Sequence, residues 1–123
     1  MKLEDQVTSL ELSKKLKELG VKQDSLWYWM TGHEKLVSKQ YFGEETMLKK
    51  DLLRSAFTVA ELGEMLPTPA PNDGGDIECV KFEDKWVITW PHGTWIEDKT
   101  EANARAKALI WLIENGHVNV KDL

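Results

Sequence analysis

A chain of 123 residues has room for one domain, and it buries about two thirds of its unfolded surface, enough for a core without covalent or metal staples. Its hydrophobic fraction of 41% and charged fraction of 30% are those of an ordinary soluble globular domain, with no apolar run near the roughly 20 residues that span a bilayer. The net charge of −5 is concentrated in the C-terminal half, with ten acidic against six basic residues from Pro67 on, which argues against broad phosphate-backbone binding but leaves room for a small basic patch.

The N-terminal MKLEDQVTSLEL lacks the apolar stretch of a signal peptide. Ser9 or Thr8 opens a helix to about Leu19, with Leu12, Leu16 and Leu19 on one face and Gly20 as its stop. Lys14, Lys15 and Lys17 lie off that stripe, interspersed with Glu11 and Glu18, as on a solvated face. Ser25 to Met30, SLWYWM, predicts a strand; Thr31 to Glu34 predicts a turn, and Leu36 to Phe42 a returning strand. Gly43 to Ser55 holds helix formers in poor phase, compatible with a short helix or a long excursion.

Thr58-Val59-Ala60-Glu61 is a capping box that starts a helix ended by Pro67. Thr68 to Asp76, TPAPNDGGD, is a loop between the two halves. Ile77–Phe82 and Lys85–Pro91 predict strands around a tight Glu83-Asp84 turn, and Thr94–Ile96 a third short strand after His92-Gly93. Thr100 to Gly116, TEANARAKALIWLIENG, is a helix with both ends written into it, and it is apolar around so much of its surface that a sheet should cover it. The predicted class is α+β: an antiparallel sheet, made of a hairpin plus a later two- or three-stranded meander, covered by two to four helices in one domain spanning 1–123, with a long C-terminal helix.

Three segments carry a resemblance: SLELSKKLKELGVKQDSLWYW (Ser9–Trp29), AFTVAELGEMLP (Ala56–Pro67) and TEANARAKALIWLIENG (Thr100–Gly116), about 50 of the 123 residues. They resemble a family of small uncharacterised proteins encoded by bacteriophages and prophages. The resemblance implies an origin and a place of action, the bacterial cytoplasm, but no activity, cofactor or catalytic residue. A lone thiol, Cys79, fits the same reducing compartment and rules out an internal disulfide.

Reactive constellations are missing from the pattern. His33-Glu34 starts like a zinc-binding HExxH, but position 37 is Val. Cys79 lacks metal-ligand spacing and reads as a small hydrophobe; a Cys–His nucleophile would need His92 or His117 to approach it in space. No phosphate-cradling glycine loop occurs, and Asp73 and Asp76 lack calcium-loop spacing, so turn chemistry accounts for them. No catalytic residue, metal or cofactor is expected.

The oddity is six tryptophans: Trp27, Trp29, Trp86, Trp90, Trp95 and Trp111. Most should fill the core between sheet and final helix. Two or three on an open sheet face would make a platform for a partner, and Trp86, Trp90, His92 and Trp95 are the candidate interaction residues, since Trp90 and Trp95 flank a turn. The leading expectation is a non-catalytic protein-binding module, with self-association through an uncovered tryptophan face as a further expectation. The alternative is a nucleic-acid-binding accessory protein using Lys14, Lys15, Lys17, Lys22 and exposed tryptophan. Three strands followed by an Ala-rich helix is the order of double-stranded-RNA-binding domains, but the phosphate-gripping lysines at the helix start are replaced here by Thr100-Glu101-Ala102-Asn103.

Overall fold

The computed structural model describes residues 2–32, 34–41, 52–67, 77–90 and 94–123. Among them lie α1 (Leu3–Gln6), α2 (Leu10–Glu18), β1 (Trp27–Met30), β2 (Lys35–Ser38), β3 (Leu53–Ala56), α3 (Val59–Met65), β4 (Glu78–Phe82), β5 (Lys85–Trp90), β6 (Thr94–Asp98) and α4 (Glu101–Glu114), with short 3-10 turns at Lys39–Tyr41 and Val120–Asp122. The class is α+β, as the pattern predicts. The hairpin and the meander, however, belong to separate antiparallel sheets of three strands, ordered β2-β1-β3 and β4-β5-β6.

Helix ends follow local chemistry. Ser9, not Thr8, caps α2, its hydroxyl accepting from Leu12 N at 3.2 Å. Thr58 and Glu61 form the full capping box of α3, with Glu61 Oε1 accepting from Thr58 N at 2.9 Å and Thr58 Oγ1 from Glu61 N at 3.2 Å. Thr100 caps α4, and Gly116, at φ +76°, turns the chain out of it so that His117 N reaches Leu112 O at 2.9 Å.

Two expectations are corrected in the first half. The returning strand expected over Leu36 to Phe42 is β2, Lys35–Ser38, and it gives way to the 3-10 turn Lys39–Tyr41, with Phe42 outside the described residues. The Gly43–Ser55 stretch, expected as a helix or an excursion, ends in strand β3, which pairs with β1 through Trp27–Ala56 to Met30–Leu53. Pairing outweighs the local preference of its leucines, because β1 offers an open ladder edge and the new strand buries Leu53, Ser55 and Ala56. Residues 42–51 lie outside the described ones. Helix α1 also has no signal in the pattern; it precedes Val7, which is fully buried and bridges to Thr58.

The last helix organises the core. Ala102, Ala104, Ala106 and Ala108 are fully buried, although alternate positions fall on opposed sides of a helix. Neighbours therefore cover α4 on both sides: β5 and β6 on one, α2 and α3 on the other. The main cluster joins Leu16, Phe57 and Leu62 from the first half to Ile88 and Trp90 from the second, through Leu109 and Leu112. A smaller cluster of Val7, Trp29 and Ala56 lies under the first sheet. Ser9 N donates to Asn103 Oδ1 at 2.8 Å and so ties the starts of α2 and α4 together.

Candidate interaction surface

The meander β4-β5-β6 has two faces of different character. Its register sets Cys79 opposite Ile88, Lys81 opposite Trp86 and Ile88 opposite Ile96, which puts these on the inner face toward α4. Trp90 is 6% exposed there and meets Trp111 edge-on, ring centroids 5.5 Å apart. Trp86 is half-buried, with the Lys81 ammonium 5.9 Å from its ring centroid, within cation–π range.

The outer face carries the alternate residues: Val80 and Phe82 on β4, Val87 on β5, Trp95 and Glu97 on β6. Val87 at its centre is buried, whereas Val80, Phe82 and Trp95 around it are 50%, 51% and 57% exposed. The Phe82 and Trp95 rings meet edge to face, 6.5 Å between centroids, across the central strand. Trp95 Nε1 donates to Glu97 Oε2 at 2.9 Å, and Lys85 Nζ pairs with the same oxygen at 3.0 Å. The indole hydrogen bond, then Lys85, hold the Glu97 carboxyl below its ordinary range; Glu97 in turn raises Lys85. The result is an apolar, aromatic patch with an ion pair at its border.

The four candidate residues therefore do not form one site. Trp86 and Trp90 belong to the inner face, Trp95 to the outer, and His92 lies outside the described residues. The reason is parity: five positions separate Trp90 from Trp95, and the Trp90–Thr94 pairing sends Trp95 to the opposite side. Phe82 and Val80 were missed. The Glu83-Asp84 turn, with Glu83 at φ +57°, fixes the register that puts them beside Trp95, so alternation counted outward from that turn is the signal that finds them.

Other candidates have structural employment. Lys17 Nζ donates to Leu53 O at 2.9 Å, and Lys15 pairs with Glu114 at 3.4 Å, which leaves Lys14 and Lys22 as the exposed members of the lysine set. His117 stacks on Trp111 with ring centroids 5.5 Å apart. Cys79 is half-buried beside the Glu101–Arg105 ion pair, and burial pushes its thiol above the ordinary value. Such a thiol is a poor nucleophile at neutral pH. Among the described residues, no group of three or more His, Cys, Asp or Glu is placed to hold a metal, and no helix is long and apolar enough to cross a membrane.

No protein-family model, no curated protein and no solved structure matches this chain.

Proposed function

We propose that this protein is a non-catalytic binding module whose protein partner seats on the outer face of β4-β5-β6. One observation carries the reading: Val80, Phe82 and Trp95 stand at least half exposed around buried Val87, on a face that no described element covers. Aromatic side chains held rigidly at the centre of a patch, with polar groups at the rim, are the composition of a binding hot spot. The Glu97 and Phe82 contacts fix the Trp95 ring before any partner arrives, which lowers the ordering cost of association. Action in the bacterial cytoplasm, as part of a phage-type or prophage-type repertoire, belongs to the same proposal and rests on the three resembling segments.

The test is a photo-crosslinking residue introduced in place of Phe82 and, as control, in place of Glu114. A discrete adduct from position 82 that disappears on Trp95→Ala, with none from position 114, is the expected outcome. Turnover of a small substrate by the purified protein, lost on changing one polar residue, would sink the reading. So would crosslinking from position 82 that ignores Trp95.

A further inference from the structure

The described structure also opens elsewhere, in a cleft of about 820 Å³ between α3, the Val21–Asp24 segment and the 3-10 turn Val120–Asp122. It shares no residue with the outer sheet face. Its floor is apolar, formed by edges of the core residues Phe57 and Leu66 together with part-buried Met65 and Leu123. Its rim is acidic: Asp24, Glu61, Glu64 and Asp122 face one lysine, Lys22.

These carboxylates differ in how far they are already committed. Asp24 pairs with Lys39 at 2.8 Å. Glu61 has one oxygen tied into the α3 capping box. Glu64 and Asp122 are exposed and make no ion pair among the described residues. The cleft thus keeps an unneutralised negative charge directly above an apolar floor. Few side chains complement both. Lysine and arginine do, because the stem covers apolar surface while the head reaches carboxylates. An acidic or purely apolar occupant would leave Glu64 and Asp122 desolvated without a counter-charge, at a net cost.

We propose that this cleft seats a basic, partly apolar segment of a partner protein, with a Lys or Arg head between Glu64 and Asp122 and its stem over Leu66 and Leu123. The contact is steered by charge, so it weakens as salt rises.

The probe is a fluorescein-labelled peptide, Gly-Leu-Arg-Leu-Arg-Leu-Gly, followed by anisotropy on the whole protein. Its controls are the same peptide with Glu in place of Arg and a version with Ser in place of Leu. The basic peptide is expected to bind saturably and to exceed both controls by about tenfold, as expected for charge and apolar terms acting together. The double reversal Glu64→Lys with Asp122→Lys should weaken it by about tenfold or more, since like charges then face each other. The milder Glu64→Gln with Asp122→Asn should weaken it in the same direction, and circular dichroism checks that each variant is folded. Trp95→Ala should leave it unchanged.

Several results would overturn the proposal. Equal binding of the basic and acidic peptides would do so, as would indifference to both double variants or no saturable binding to the folded protein. Loss on Trp95→Ala would assign the peptide to the outer sheet face instead, which separates this proposal from the proposed function.

Discussion

Thr8 serves three neighbours at once. Its hydroxyl accepts from Phe57 N at 3.1 Å and meets Ser13 Oγ at 2.7 Å, while its carbonyl accepts from Trp29 Nε1 at 2.9 Å. Replacing it by valine keeps the shape but strands the buried Phe57 N–H, so Thr8→Val should cost about 1–3 kcal/mol in urea unfolding. Ser55 is the opposite case. Its hydroxyl oxygen is buried with no hydrogen-bond partner among the described residues, so Ser55→Ala should be neutral or stabilising in the same measurement. The tryptophans divide likewise. Trp90→Ala opens a cavity against Trp111 and should cost about 3–5 kcal/mol, whereas Trp95→Ala removes an exposed ring and should cost about 1 kcal/mol or less. Thermal unfolding of the pair gives the comparison; a Trp95→Ala loss as large as that of Trp90→Ala would place Trp95 in the core.

At the scale of single elements, α3 shows how far local rules reach. Thr58→Ala removes the acceptor for Glu61 N and should cost about 0.5–2 kcal/mol. Gly63 sits inside the same helix, and a methyl group there would meet Arg105 Nη1 at 3.7 Å, an ordinary contact. Gly63→Ala should therefore stabilise by about 0.5–1 kcal/mol, since the helix no longer orders a glycine; a loss would mean that Arg105 cannot accommodate the methyl. The caps of α2, α3 and α4 were legible in the sequence because each is a short-range hydrogen bond between neighbours in the chain. Strand β3 was not, because LRSA has no two-residue alternation and becomes a strand only by pairing with β1. The candidate site was legible by half. The sequence held Trp95, but its grouping with Trp86 and Trp90 ignored the parity across residues 91–93. The partners Val80 and Phe82 needed the register of the hairpin.

Across the whole molecule, surface charge pairs set the response to acid. Burial alone would raise Asp98, but the Lys107 ammonium at 2.7 Å and the backbone N–H groups of Thr100 and Lys99 more than offset it, leaving the carboxyl below its ordinary 3.8. Lys39 lowers Asp24 in the same direction. A carboxyl depressed by folding contributes stability that is present above its unfolded value and is lost as pH falls through the folded value. Stability should therefore hold from neutral pH to about pH 5 and decline below about pH 4. Urea midpoints against pH would show it, with a shallower decline in Asp98→Asn and in high salt. A decline that begins near pH 6 would overturn this reading.

Helix α4 has one further consequence, in time. It is the last helix in chain order, and both sides of it are walls of the core. A ribosome delivers the chain from the other end, at about 5–20 residues per second. For about a second or longer, Leu16 and Leu62 have left the exit tunnel while the α4 residues of their cluster have not. Throughout that interval the faces of α2 and α3 that α4 covers stand bare. Aggregation and chaperone capture compete for the nascent protein during those moments, and the arrival of Ala102 to Leu112 ends the competition.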